Sequence, residues 1–185
     1  RSTNPYRALD NAGLASGPGD TVYVFYGDGS DRFQNVGFSM QTDQRLLGEG
    51  VDLVFGSQTL FKGDPGRRPQ ISGVSRGVDA IDNGNIEIAG LSLNVTAGLG
   101  IDITNTVAGA STIKITSNEI AAAFDGIAIT GAAGAIELFI DDNIVRSAAT
   151  GIAINGLSIA TVTIRSFANN GVDSAAFGGI LISNV

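Results

Sequence analysis

The side chains best suited to chemistry lie in the second half of the chain, where charged residues recur every 24 to 27 positions. They are Lys114, the adjacent carboxylates Asp141 and Asp142, and Arg165. A base, a carboxylic acid and a guanidinium placed side by side are groups that enzymes use to cleave polysaccharides. If the chain is an enzyme, these four residues are its candidate catalytic residues.

Ordinary ion pairs account for the same residues without catalysis. If the chain repeats with this period, Glu87 lies beside Lys114 and Asp141 lies beside Arg165. Such cross-strand pairs contribute well under about 1 kcal/mol each on a solvated surface. We therefore assign no catalytic residue, and keep the four side chains as the alternative.

The run Asp141-Asp142-Asn143 also has two interpretations. Carboxylate and amide oxygens are the ligands that calcium prefers, so Asp141 and Asp142 are the candidate ligands if Ca²⁺ binds. The same residue types are typical of a turn. We assign no cofactor on this basis.

The composition excludes several classes of chemistry and partner. The chain of 185 residues has no Cys and no His, which excludes disulfides, thiolate catalysis and a Ser-His-Asp mechanism within it. Its formal net charge is -7, from 11 basic and 18 acidic residues, and no Lys/Arg run is present. A nucleic acid partner is therefore not expected.

Neither end of the sequence carries an apolar run of transmembrane length, so we expect no membrane insertion of this segment. The chain opens with Arg1 and stops within the strand-like run 180–185. This predicts that the segment is a fragment of a longer chain.

The elements that would position these charges are short strands that repeat about every 25 residues. In the first set, Gly-Ile-x-Ile or a close variant recurs at spacings of 26, 25 and 28 residues, starting at Gly100, Gly126, Gly151 and Gly179. Each copy alternates Ile with a variable residue, which is the pattern of a half-buried strand. Outward positions of this set are mainly small, at Ala128, Ala153 and their neighbours, which predicts a flat face with almost no charge.

A second set of strands runs out of phase with the first. Its copies start at Ile86, Ile113, Leu138 and Val162, at intervals of 27, 25 and 24 residues. Two strand sets that share one period indicate a β-solenoid. Asn118 and Asn143 recur just after this set, and would either stack inside the solenoid or lie exposed in its turns.

The N-terminal half is less regular. We expect a cap over residues 1–20, with a short amphipathic helix over 5–15 that includes Tyr6 and Leu9, and irregular first coils with long loops over 21–85. Residues 86–185 form the regular coils of the same single domain. The fold class predicted is all-β: a right-handed, single-stranded parallel β-helix with a short N-terminal capping helix.

The sequence resembles the pectate-lyase-like superfamily of right-handed parallel β-helices. The likeness is carried by Gly19-Asp20-Thr21-Val22-Tyr23-Val24, by Arg45-Leu46-Leu47-Gly48-Glu49-Gly50 and by the later repeats, and it covers nearly the whole chain. The resemblance implies the fold, and is closest in style to passenger domains of bacterial surface and autotransported proteins. The superfamily's hydrolases also use a His and an Arg-x-Lys motif, and neither occurs here.

These observations favour a structural or adhesive module of a secreted or surface-anchored bacterial protein. It would bind a glycan or a surface protein, or stack, through its flat sheet faces. Two alternatives remain: a polysaccharide lyase or glycoside hydrolase, and a subunit that self-associates into filaments through open β-helix ends.

Overall fold

The structure is a computed structural model in which three parallel β-sheets wind around one apolar core. It describes residues 9–30, 37–73, 75–81, 84–105, 109–131, 133–156, 160–174 and 176–184. One short helix, α1 (Leu9–Ala15), precedes the strands. The N-terminal part of the predicted helix, with Tyr6, lies outside the described residues.

Sheet A contains the second set of strands found in the sequence. Its described strands, in spatial order, are β1 (Thr21–Val24), β3 (Arg45–Gly48), β8 (Ile86–Ala89), β11 (Ala110–Thr116), β14 (Gly134–Asp141) and β17 (Ala160–Ala168).

Sheet C contains the first set, the Gly-Ile-x-Ile strands. Its described strands are β2 (Phe38–Met40), β7 (Arg76–Ile81), β10 (Leu99–Asn105), β13 (Ile127–Gly131), β16 (Thr150–Gly156) and β19 (Gly178–Ser183).

Sheet B follows sheet A in each coil and was not recognised as a separate sheet in the sequence. Its described strands are β6 (Gln70–Gly73), β9 (Ser92–Val95), β12 (Glu119–Ala122), β15 (Ile144–Ser147) and β18 (Gly171–Ser174). The chain thus passes through sheets C, A and B in turn, and every neighbour within a sheet is parallel. The predicted fold class, a parallel β-helix with a short N-terminal helix, is confirmed.

The Gly-Ile-x-Ile copies stack in the predicted register. Ile101 pairs with Ile127, Ile127 with Ile152, and Ile152 with Ile180. Equivalent residues in successive coils lie about 4.8 Å apart, so these side chains form a continuous column inside the solenoid. Ile101, Ile127 and Ile152 are fully buried, which makes the column the core of the domain.

The last copy of the second set is out of the predicted register. Val162 pairs with Ile136 rather than with Leu138, and the pairing shifts between Leu138 and Phe139. Arg165 is the extra residue at this irregularity, so Phe139 pairs with Ser166. The offset of two residues at Val162 lies before this bulge, since Leu138 pairs with Ile164, and the bulge then adds one more residue to β17.

A buried asparagine ladder closes the corner between sheets A and B. Asn118 donates from its backbone N and its Nδ2 to Oδ1 of Asn143, 3.1 Å away in each case, and Asn143 binds Asn170 in the same way. Both Nδ2 groups also reach backbone carbonyls, of Ile88 and Ile115. The inward stacking of Asn118 and Asn143 is therefore confirmed, and Asn170 is a third member.

The first coils are irregular, as predicted, but one of their loops contains a hairpin. Strands β4 (Leu53–Phe55) and β5 (Gln58–Phe61) pair antiparallel around Gly56, whose φ is 61°. Only long loops were expected in this part of the chain. The signal was present, because two runs rich in apolar residues flank a two-residue Gly-Ser connection, and such a connection favours a hairpin.

Helix α1 packs on the first strands at the N-terminal end of the solenoid. Leu9 is buried in the core cluster, and Ala12 packs against that cluster from its edge. A Cβ placed on Gly13 would come within 3.2 Å of the Phe38 ring. The helix therefore sits close against β2 and covers apolar side chains there.

Candidate functional site

The four predicted catalytic residues occupy separate structural roles. Oδ1 of Asp141 accepts from the Ser166 hydroxyl at 2.7 Å and from the Ala168 backbone N at 2.8 Å. This carboxylate therefore fixes the neighbouring strand at its end. The predicted pairing of Asp141 with Arg165 is wrong.

Arg165 pairs instead with Glu137. Because the register of β17 is shifted, Arg165 does not lie opposite Asp141. It lies within reach of Glu137 instead. The pair is largely exposed, so it is an ordinary surface ion pair of small energetic value.

Asp142 lies in a turn with a φ of 57°. The left-handed conformation recurs at the same corner at Gly90, Ser117 and Asn169, so the corner selects Gly, Asn, Asp or small polar residues. Oδ1 of Asp142 accepts from Nδ2 of Asn169 at 3.0 Å. Turn chemistry thus accounts for the Asp-Asp-Asn run, and calcium binding by Asp141 and Asp142 stays the untested alternative.

Lys114 lies next to Glu87 in register, as predicted, but the two do not form an ion pair. Glu87 binds Arg45 instead, with 2.6 Å between Nε of Arg45 and Oε2 of Glu87. Nζ of Lys114 lies 5.7 Å from the centre of the Phe139 ring. Within the described part of the chain, the Lys114 ammonium has no carboxylate partner.

An open groove with a volume of about 310 Å³ runs across the start of sheet A beside these residues. All of its lining residues except Ile86 have polar or charged side chains: Asp43, Gln44, Arg45, Asn85, Ile86, Glu87, Thr112 and Lys114. It crosses the coils that contain β3, β8 and β11, so it runs along the axis of the solenoid. A groove that is open at its surface suits a long ligand better than an enclosed small molecule.

Hydrogen bonds between coils hold the groove in shape. Oδ1 of Asp43 accepts from the backbone N of Asn85 at 3.1 Å and from its Nδ2 at 2.9 Å. Oδ1 of Asn85 in turn accepts from the backbone N of Thr112 at 3.0 Å. Arg45 also donates to the carbonyl of Val54 in the hairpin. The side chains of Asp43, Arg45 and Asn85 are therefore fixed before any ligand arrives.

Four groups in the groove have hydrogen-bonding capacity that the described residues do not use. They are Oδ2 of Asp43, Oε1 of Glu87, the Thr112 hydroxyl and the Lys114 ammonium. Two are acceptors, one is a donor, and the hydroxyl is both. Such a set can bind the hydroxyl groups of a sugar.

Sequence reasoning found Lys114 and Glu87 in this groove but missed Asp43, Asn85 and Thr112. A signal was available for two of them, because Asn85 and Thr112 each stand directly before a copy of the second repeat. Asp43 lacks such a signal, because the strand that follows it was not aligned with that repeat.

A second group of charges lies on the outer face of sheet C, in the earlier coils. Asp79 is buried to 8% exposure and accepts from the Ser39 hydroxyl at 2.9 Å. Asp102, its register neighbour, forms an ion pair with Arg76 at 3.1 Å. Burial raises the pKa of the Asp102 carboxyl, Arg76 lowers it, and Asp79 raises it further. Ala128 and Ala153 form the nearly uncharged surface that was predicted for the repeated copies, whereas Arg76 and Asp79 add charge on the strand before them.

Among the described residues there is no group of three or more acidic, His or Cys side chains that could hold a metal ion. The one described helix is too short to cross a membrane.

Comparison with known proteins identifies the family. A family model described as a protein of unknown function, DUF1565, matches residues 1–181. The chain belongs to the DUF1565 family. No curated protein and no solved structure matches the chain.

Membership of the DUF1565 family agrees with the β-helix seen here, since that family is of the β-helix type. The family description assigns no reaction and no ligand. The function of the groove must therefore be argued from its own residues.

Proposed function

We propose that this domain is an adhesive β-helix module that binds a neutral glycan in the groove on sheet A. The observation that carries the proposal is the set of four unused hydrogen-bonding groups at Asp43, Glu87, Thr112 and Lys114, of which the Asp43 and Glu87 carboxylates are held in place by hydrogen bonds between coils. Rigid donors and acceptors bind a flexible sugar chain at a lower entropic cost than mobile ones.

The charges in the groove support a neutral ligand. Arg45 and Lys114 are balanced by Asp43 and Glu87, and the whole chain has a net charge of -7. A polyanionic chain such as a polyuronate would approach a negatively charged protein without a basic patch to receive it. A chain of neutral sugars meets no such repulsion.

The aromatic ring of Phe139 supports an extended contact. Phe139 follows Lys114 in register and is half-buried on the outer face of sheet A. Its row runs from Arg45 through Glu87 and Lys114 to Phe139, one residue per coil. At about 4.8 Å per coil, this row offers polar groups at one end and an apolar ring at the other.

The setting that we propose is the surface of a bacterium, with the module as part of a secreted or surface-anchored protein. Neutral glycans and surface proteins are the partners available there. The rigid stack of coils would then serve to hold the groove away from the cell.

Binding to soluble hexasaccharides tests the proposal. The test is calorimetric titration with hexamers of glucose, mannose and galacturonate. At least one of the two neutral hexamers should bind, and the galacturonate hexamer should not bind more tightly than it does. Thr112→Val and Lys114→Met should each weaken binding about ten-fold, since each removes a hydrogen bond worth about 1.4 kcal/mol. Arg146→Met, on sheet B, is the control and should bind as the parent does.

A lyase or hydrolase is the enzymatic alternative, and it makes a different prediction. If the domain cleaves any of these hexamers, the adhesive proposal is wrong. Loss of that cleavage in folded Asp141→Ala and Arg165→Ala variants would then support the enzymatic alternative. The hydrogen bonds of Asp141 and Arg165 favour structural roles for both.

A further inference from the structure

A column of alternating small and aromatic residues lies at the corner between sheets B and C. Gly98, Phe124, Ala149 and Phe177 occupy equivalent positions in successive coils. Backbone hydrogen bonds link them: Phe124 N donates to Gly98 O at 3.0 Å, Ala149 N to Phe124 O at 3.4 Å, and Phe177 N to Ala149 O at 3.2 Å. The two Phe side chains therefore leave the backbone from matched positions.

Both rings project into solvent. Phe124 is 55% exposed and Phe177 is 83% exposed, while Ala149 between them is half-buried. Since the two Phe residues are two coils apart, their backbones are separated by about 9.6 Å. The position between them carries only the methyl group of Ala149, and we call the space above it, between the two Phe positions, the slot.

The electrostatic surroundings of the slot are negative. Asp125 follows Phe124 directly, and its Oδ1 accepts from the backbone N of Thr150 at 2.9 Å. The second oxygen of this carboxylate takes no hydrogen bond from the described residues. On the sheet B strands that lead into the corner, Glu119 and Asp173 stand against a single guanidinium, Arg146, which is already paired with Glu119 at 2.6 Å.

From this geometry we infer that Phe124 and Phe177 form a binding site for a quaternary ammonium group of the choline type. A cation above Ala149 would lie one coil, or about 4.8 Å along the solenoid axis, from the level of each Phe, which is within the limit of about 6 Å for a cation–π contact. The methyl groups of the ammonium would meet the rings and Ala149. The Asp125 carboxylate would supply the charge opposite to that of the ammonium. This carboxylate favours a cationic ligand over a neutral apolar one.

Titration with choline chloride at constant ionic strength tests the inference, with backbone amide NMR shifts as the readout. We expect saturable shifts confined to the corner, at Phe124, Asp125, Ala149 and Phe177. The neutral isostere of choline, in which carbon replaces the ammonium nitrogen, should bind about ten-fold more weakly, which corresponds to the loss of about 1.4 kcal/mol of cation–π attraction. Equal affinity for the two ligands would overturn the assignment.

Matched variants separate the slot from other apolar surface. Phe177→Leu and Phe124→Leu should each reduce choline affinity about ten-fold, and Asp125→Asn several-fold. Phe55→Leu replaces another exposed ring, on the hairpin, and should leave choline affinity unchanged. Loss of affinity in Phe55→Leu, or full affinity in Phe177→Leu, contradicts the site.

Two further probes identify the source of the ligand. Co-sedimentation with phosphatidylcholine vesicles would show a lipid headgroup, and binding of free phosphocholine without vesicle binding would show a soluble or polymer-linked group. Neither probe involves the groove on sheet A. The glycan proposal and this one can therefore fail independently.

Discussion

The first coils and the later coils of this solenoid are stabilised in different ways. The later coils repeat the same contacts once per turn, namely the Ile column and the ladder of Asn118, Asn143 and Asn170. The first coils rely on contacts that occur once. One is buried Glu49, which binds Arg67 at 3.1 Å and the backbone N of Tyr26 at 2.8 Å.

The aromatic cluster of the first coils is another contact that occurs once. Tyr23, Phe25 and Phe61 pack with ring centres 5.0 to 5.6 Å apart, and so join β1 to the hairpin. The two kinds of contact therefore stabilise different features. Repeated contacts stabilise the stacking of successive coils, whereas unique contacts hold the loops and the groove of the first coils in one arrangement.

The largest effect should come from breaking the repeated ladder. Asn143→Ala removes the acceptor of Asn118 and the donor to the Ile115 carbonyl, both buried. An unpaired buried group costs about 1–3 kcal/mol, so we expect the free energy of unfolding in urea to fall by about 3 kcal/mol. Asn94→Ala, at an exposed site on sheet B, is the control. A loss no larger than the control's would contradict the role of the ladder.

A smaller loss should follow when the unique contact in the first coils is removed. Glu49→Ala leaves the Tyr26 amide unpaired, while Arg67, which is half-exposed, can be hydrated. We expect a loss of about 2 kcal/mol, with faster amide hydrogen exchange in β1 and β3 but not in β13 and β16. Glu119→Gln breaks an exposed ion pair and should cost under about 1 kcal/mol. Uniformly faster exchange would show that the two regions are not independent.

Much of this contrast was visible in the sequence. The Gly-Ile-x-Ile copies gave the period, the register and the inward face of sheet C, because the same physical demand recurs in each coil. The groove could not be found in this way, since Asp43 and Arg45 come from a coil whose sequence resembles no other. The bulge at Arg165 was also hidden, because one added residue leaves the alternation of Val162 and Ile164 intact.

The aromatic cluster predicts a titration that separates the first coils from the rest. Burial, with smaller contributions from Glu49 and Asp52, raises the pKa of the Tyr23 phenol from 10.0 to about 12. Because the folded state favours the neutral phenol, this contribution to stability is complete below pH 10.0 and is lost as pH rises toward about 12. The phenolate absorbance should show this late step, and Tyr23→Phe should remove it. A Tyr23 midpoint near 10.0 would contradict the packing.

The smallest effect concerns two serines in the later coils. The Ser147 hydroxyl is the only buried side-chain polar atom of the described residues that lacks a hydrogen-bond partner. Ser147→Ala should therefore raise the unfolding free energy, by about 0.5 kcal/mol. Ser166→Ala, which removes the 2.7 Å bond to Asp141, should lower it by about 1 kcal/mol. Chemical denaturation of the pair checks the opposite signs.

The asparagine ladder has a consequence for how the chain selects its winding. Each amide accepts from the coil before it and donates to the coil after it, so all its members point the same way along the axis and polarise one another. A coil wound one residue out of phase would place a different side chain in the asparagine ladder. The amides of the coils before and after it would then lack hydrogen-bond partners. The ladder thus destabilises coils that wind in the wrong register while the solenoid folds.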